Sequence, residues 1–339
     1  MKPLLLSLLL SLQVSAALPG WPEQVQKIEV TSSADHSPQP ALSYTPPPDG
    51  QPKPLLVGLH TWSGDYTQAA NGSTYAAWAI QQGWAFVFPN FRGPNWTPPA
   101  LGSDLAVQDV VDAVQHMQRT AKIDDQRIYL IGVSGGGHMA LLMAGRHPEI
   151  WAGVSAWCGI SDVAQWHRDH LKNGKPDKYA QNIEAALGGP PDTPERQADA
   201  TKRSPLTWLA KATSVPLDIA AGVNDGRAGS VPFTHSLLAY NVVAPVKLDP
   251  AGIAAFYQTQ SLPAGWPQPE ADALYTHWPV VFRVSSANTR LTIFQGGHEI
   301  LYAPALNWLA QQRKGQSAVW AIPTPIPLPG GEQKTQSGL

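Results

Sequence analysis

An α/β architecture with a mostly parallel sheet is predicted by three features of this 339-residue sequence. Short, near-continuous apolar segments alternate with longer amphipathic ones, the pattern of strands buried on both faces by helices. Hydrophobic residues make up 43% of the chain and charged residues 14%, which describes a globular protein with a large core. And one apolar segment, Ile128–Val133, runs through Gly132-Val133-Ser134-Gly135-Gly136 straight into a helix-compatible stretch. A strand that turns into a helix with no intervening loop needs glycines at the bend.

The elements follow in order. Lys2, the apolar run Leu4 to Leu12 and the small residues Val14-Ser15-Ala16 read as a signal peptide over residues 1–16, with cleavage after Ala16 or Ala17. No later segment approaches the roughly 20 apolar residues of a membrane span. The single cysteine, Cys158, provides neither a disulfide nor an N-terminal lipid anchor, so a secreted or periplasmic bacterial protein is expected. Residues 17–53 hold two strand candidates, Val25–Thr31 and Ala41–Tyr44, closed off by Pro46-Pro47-Pro48-Asp49-Gly50.

The alternating units then begin and define a catalytic domain over 54–314. Strands are predicted at Pro54–His60, Trp84–Pro89, Arg127–Val133, Trp151–Trp157, Pro216–Gly222 and Arg290–Phe294. Helices are predicted at Ser73–Gln82, Asp104–Thr120, Gly136–Arg146, Pro232–Tyr240 and Ala303–Gln312. The helix at 104 carries Ala106, Val110, Ala113, Val114 and Met117 along one stripe, and Ser103 or Asp104 can cap it. Two irregular stretches, about 161–213 and 244–282, are expected to form a cap. Residues 315–339, with Pro323, Pro325, Pro327 and Pro329, read as a flexible tail.

A net charge of −2 gives no electrostatic reason for a nucleic-acid or anionic-membrane partner. The chemistry is instead carried by Ser134 on its sharp turn. A serine hydroxyl needs a base, and the base needs an acid to orient it. On an elbow of this kind the chain order is Ser, then Asp or Glu, then His. His298, behind the last strand in Gly296-Gly297-His298-Glu299, is the expected base; His138 and His277 are the rivals. Asp225, behind the strand ending at Gly222, is the expected acid, with Asp162 as rival and Asp218 as a structural residue. Backbone N–H groups of Gly135 and of Thr61 or Trp62 are expected to bind an oxyanion. No metal spacing is convincing: His167 and His170 are one helical turn apart without a third ligand. No cofactor is expected.

The order and spacing of Asn90-Phe91-Arg92-Gly93, Gln108-Asp109-Val110, Gly132–Gly137, Gly222–Asp225 and Gly296–Glu299 resemble the catalytic α/β-hydrolase domain of the prolyl oligopeptidase family and its secreted esterase-like relatives. The resemblance covers about residues 54–312 and implies Ser134 as nucleophile, Asp225 as acid and His298 as base. Peptidases of that family usually carry a gating β-propeller, which the roughly 35 residues before the core cannot build. The 13 tryptophans, among them Trp62, Trp96, Trp157, Trp166, Trp266 and Trp278, suggest a substrate with sugar rings or an aromatic acyl group. Trp157 and Arg227 are the expected substrate contacts, although Arg227 and Arg92 also suit structural ion pairs. The expected activity is therefore hydrolysis of a small-molecule or carbohydrate ester. A small-peptide peptidase and a non-catalytic carbohydrate-binding protein on the same fold are the alternatives.

Overall fold

The computed structural model describes residues 18–330; the predicted signal segment 1–16 lies outside the described residues. In chain order the elements are β1 (Gln26–Thr31), β2 (Pro38–Tyr44), β3 (Lys53–Leu59), α1 (Ala69–Gln81), β4 (Ala85–Pro89), α2 (Asp104–Thr120), β5 (Ile123–Val133), α3 (Gly135–Arg146), β6 (Gly153–Trp157) and α4 (Val163–Asp169). There follow the short hairpin β7 (Leu171–Lys172) and β8 (Lys175–Pro176), then α5 (Lys178–Leu187), α6 (Pro194–Arg203), β9 (Leu217–Gly222), α7 (Thr234–Val243), α8 (Pro250–Thr259), β10 (Val280–Ser286), β11 (Thr289–Phe294) and α9 (Tyr302–Gln311).

Nine strands form one sheet in the order β1-β2-β4-β3-β5-β6-β9-β11-β10. The six from β4 to β11 run parallel, and antiparallel pairs close both ends. The chain thus has a mostly parallel sheet with helices, the α/β-hydrolase class. The central strands are apolar because helices cover both of their faces. Leu55–Val57, Phe86–Phe88, Ile128–Ile131 and Leu217–Ala221 are buried throughout, with Asp218 the one charge among them. Burying each large apolar side chain there stabilises the fold by about 1.5–3 kcal/mol. Asp218 is matched by Arg290 on the adjacent β11, 2.8 Å away, the structural use expected of it.

At α2, Ser103 is the cap: its hydroxyl accepts the Ala106 N–H at 3.1 Å. Arg92 fastens the N-terminal hairpin onto α2 by pairing with Asp109 (2.6 Å) and Asp35 (2.7 Å), so its role is structural. Helices α4 to α6 enclose a second apolar cluster, in which Trp166, Ile183 and Ala200 pack with Trp62 and Val231 from the loops after β3 and β9. The 161–213 stretch therefore lies against loops at the carboxyl ends of the strands.

Two regions differ from their sequence reading. The 244–282 stretch ends in a strand, β10, which adds antiparallel to β11 through a two-residue turn at Ala287-Asn288. And the tail expected to be flexible is docked as far as Leu328. Trp320 stacks on Trp308 (5.6 Å, 9°), Ile326 exchanges backbone bonds with the Asn307 side chain, and Ile322 and Leu328 pack on the core. Its extended, proline-restricted backbone loses little entropy on docking, and apolar side chains just before and between the prolines supply the contacts.

Candidate active site

The bend after β5 is a strained strand-to-helix turn. Ser134 sits at φ 60°, ψ −121°, a conformation sparsely populated by residues other than glycine. A Cβ on Gly132 would run into the Gly136 carbonyl, so the bend requires glycine there. The turn is held from below by the Ser134 N–H donating to the Trp157 carbonyl at 2.9 Å. Helix α3 starts at Gly135, which directs its first N–H groups toward the serine.

His298 and Asp225 stand at the same rim, on the loops that follow β11 and β9. Strands β5, β6, β9 and β11 are consecutive neighbours, so residues just past their carboxyl ends share one edge of the sheet. His298 Nδ1 lies 2.7 Å from Asp225 Oδ2. The fully buried Asp225 is satisfied on its other oxygen, which accepts the N–H groups of Gly226 (3.0 Å) and Val231 (3.1 Å). This fixes the tautomer: Nδ1–H donates to the carboxylate, and the lone pair of Nε2 is left for a proton.

The loop after β3 separates the two candidate oxyanion donors. The Thr61 N–H donates to Gln68 Oε1 at 2.8 Å, and Gln68 Nε2 donates back to Thr61 Oγ1 at 2.8 Å. The Trp62 carbonyl is held by the Asn95 N–H. The Trp62 N–H has no acceptor among the described residues, and a Cβ on Gly135 would lie 2.5 Å from that nitrogen. The backbones of Gly135 and Trp62 therefore touch, with Thr61 engaged elsewhere.

The BD-FAE family pattern matches residues 43–242, more than half of the chain. The chain belongs to the BD-FAE family. That membership places it among esterase-like α/β-hydrolases; the matched range includes Ser134 and Asp225 and stops short of His298. This BD-FAE chain is similar to feruloyl esterase B of Thermothelomyces thermophilus, at 23% identity over 32% of this chain and 40% of that protein. It is also similar to acetylxylan esterase A of Emericella nidulans, at 25% identity over 40% and 51% respectively. The chain thus spans about half or less of the length of these relatives. Among solved structures, a Mycobacterium tuberculosis puromycin-hydrolysing peptidase superposes with a TM-score of 0.56 at 15% identity, over 85% of this chain and 40% of that one. An acylaminoacyl peptidase bound to Z-Gly-Gly-Phe-chloromethyl ketone gives 0.50 at 19% identity, over 65% and 34%. Both likenesses establish the fold.

Several expected residues of the BD-FAE chain do other work. Trp157 is fully buried: its indole donates to Ser155 Oγ at 2.8 Å and its ring packs on Phe294, so it offers no face to a substrate. Arg227 donates to the Tyr257 and Gln258 carbonyls at the end of α8 and lies over the Tyr257 ring. It fastens that helix, as cations do at helix C-termini. Trp62 and Trp166 meet edge-to-face at 4.5 Å and are buried, with indole N–H groups bonded to Asn182 Oδ1 and the Ser230 carbonyl. Asp162 caps α4 through the Gln165 N–H. His138 is buried on α3 against the Ile160 carbonyl, and burial holds its pKa down to about 4. His167 pairs with Glu184 and His170 with Asp177, so both are engaged within the α4–α5 layer.

Cys158 joins the site although nothing in the sequence pointed to it there. Cys158, Asp225 and His298 place their ligand atoms within 4.8 Å of one another, which is metal-ligand spacing. Burial and the neighbouring Asp225 push the Cys158 thiol well up, away from the thiolate a metal needs, and its Sγ–H donates to the Glu299 carbonyl at 3.4 Å. The thiol is thus better suited to tying the His298 loop to the end of β6. A second Ser–His–Asp grouping also exists. His235 Nε2 lies 3.2 Å from Asp169 Oδ2, and its Nδ1 accepts the Ser161 N–H at 3.1 Å beside the Ser161 hydroxyl.

Proposed function

We propose that this protein is a secreted serine hydrolase that cleaves a carboxylic ester of carbohydrate or aromatic acyl type through an acyl-enzyme. The observation that carries the reading is the strained Ser134 on the sheet rim that also holds the bonded His298–Asp225 pair. His298 Nε2 takes the Ser134 proton as Oγ attacks the ester carbonyl, and Asp225 stabilises the imidazolium that forms. The N–H groups of Gly135 and Trp62 receive the negative charge on the carbonyl oxygen. His298 then protonates the leaving alcohol, and water releases the acyl group by the same steps in reverse. The ester class draws support from the similarity to feruloyl and acetylxylan esterases, and export from the basic-then-apolar N-terminus. The 161–213 layer, packed on the strand-end loops, is the proposed cap.

The test is a substrate panel of p-nitrophenyl acetate, methyl ferulate, acetylated xylo-oligosaccharide and alanine and proline anilides. A fluorophosphonate probe should label Ser134 of the folded protein. Ser134→Ala should lower ester turnover by about 10⁴-fold or more with its melting temperature nearly unchanged. Anilide turnover rivalling that of the esters would favour a peptidase. No labelling and no turnover would leave a binding protein.

A further inference from the structure

Ser230 takes no part in the roles above, yet it is anchored from several directions. Its carbonyl accepts the indole N–H of Trp166 at 2.8 Å and lies 2.8 Å from His170 Nε2, both at α4. His170 is in turn fixed by Asp177, 2.8 Å from its other nitrogen. On one side Gly229 lies so close to the catalytic pair that a Cβ would run into Asp225 and come within 2.7 Å of His298 Cβ. On the other side the Val231 N–H is bonded to Asp225 Oδ1 and the Val231 side chain is buried in the α4–α6 cluster. All of this holds one hydroxyl, half-buried and open to the site, 3.4 Å from His298 Nε2.

That separation is long for an O–H···N bond, whose ordinary length is about 2.7–3.0 Å, so it leaves the Nε2 lone pair largely free. It places beside Nε2 a group that can both donate and accept. A nucleophilic water must meet two conditions at the second half of the reaction. It must be within hydrogen-bond reach of Nε2, and something must hold its orientation.

We propose that Ser230 is a positioning residue for deacylation, orienting the water that attacks the acyl group on Ser134. The inference rests on the acyl-enzyme reading. In the step, the water oxygen bonds to the acyl carbon while one of its protons passes to His298 Nε2. The second hydrogen is donated to Ser230 Oγ, which neither gains nor loses a proton. The bond from the acyl carbon to Ser134 Oγ then breaks, the proton on Nε2 returns to Ser134, and the carboxylic acid leaves. The loop after β9 thereby serves both halves of the machinery: Asp225 orients the base and Ser230 orients the water. The grip of Trp166 and His170 on Ser230 makes α4 part of the support for that water.

With p-nitrophenyl acetate the leaving group departs without needing a proton, so acylation does not use this position. Ser230→Ala should leave kcat/KM within about twofold of wild type, while kcat and KM fall together by roughly five- to tenfold, the size of one lost hydrogen bond. Acetyl-enzyme should accumulate in that variant by intact mass and decay more slowly once substrate is exhausted. Ser230→Thr, which keeps the hydroxyl, should recover most of kcat. An unchanged kcat/KM also certifies that the variant is folded. The proposal is overturned if kcat/KM falls as far as kcat, if kcat is unchanged, or if Thr does no better than Ala. Wild-type turnover with no acetyl group appearing on Ser134 would instead remove the acyl-enzyme reading, and this inference with it, whatever the Ser230 variants do.

Discussion

Among the described residues, the Ser134, His298 and Asp225 of the proposed site can be set beside the buried Ser161, His235 and Asp169, which share their composition and differ in their surroundings. Both histidines hold a carboxylate: Asp225 at 2.7 Å from His298 and Asp169 at 3.2 Å from His235. The contrast is at the other ring nitrogen. His298 Nε2 faces only the half-buried Ser230 hydroxyl, at a long 3.4 Å, which leaves its lone pair largely free. His235 Nδ1 already accepts a backbone N–H from Ser161, and the ring and the serine are buried. Ser134 stands on a strained turn at a helix start, beside the Trp62 amide; Ser161 lies buried in the loop that leads into α4, with an ordinary backbone conformation. In the proposed reading the same residue types give a base in one place and a structural pin in the other. What separates them is an unengaged lone pair, access, and preorganised N–H groups.

Replacing the two aspartates tests that contrast most severely. Asp225→Asn should lower kcat by about 10³–10⁴-fold, because the amide no longer selects the Nδ1–H tautomer. Asp169→Asn should change kcat by less than about threefold and instead cost on the order of 1–2 kcal/mol of stability in denaturant titrations. Equal losses of activity in the two would break the distinction.

The oxyanion donors sharpen it next. Gly135→Ala places a Cβ 2.5 Å from the Trp62 nitrogen, so the two backbones must separate. Ester kcat should fall by about 10²–10³-fold, the usual effect of losing such a donor. Fluorophosphonate labelling should slow in parallel, and an unaltered labelling rate would remove Trp62 from the site.

The smallest effect concerns stability and belongs to the buried region. His138, on α3 against the loop that carries Ser161, is neutral in the folded state, with its pKa held down to about 4 against an ordinary 6.5. The unfolded chain binds more protons between those values. The contribution is therefore complete above about pH 6.5 and is lost as pH falls toward 4, by on the order of 3 kcal/mol. In His138→Gln the melting temperature should decline less over that interval than in wild type. An identical decline would assign the pH dependence to other groups, among them the buried His60, whose pKa burial also lowers.

Most of the sheet was legible because its strands are buried on both faces, so their apolar runs stand out without side-by-side comparison. The bend at Ser134 was legible because its close approaches admit only glycine. Strand β10 was not, because its turn carries Ala287 at φ 52° where a glycine would have announced a hairpin. Trp157 was misplaced because closeness to a strand end does not say which face of the sheet a side chain meets. The docked tail was misread because proline content signals an extended backbone, whereas docking depends on Trp320 and Ile322 ahead of the prolines and Ile326 and Leu328 between them. Ser230 went unnoticed within Gly226-Arg227-Ala228-Gly229-Ser230, where a turn explains the glycines well enough until Gly229 is seen against His298.

The position of β10 has a consequence for how the molecule meets its own kind. Strand β11, which delivers the histidine loop, is flanked on both sides and does not form the sheet's outer margin. That margin is β10, whose register slips between Val280 and Phe282 and whose middle carries Arg283, both deterrents to another chain adding on. If a foreign strand did pair there, it would extend the sheet outward and leave the hydrogen-bonded frame around the imidazole loop intact.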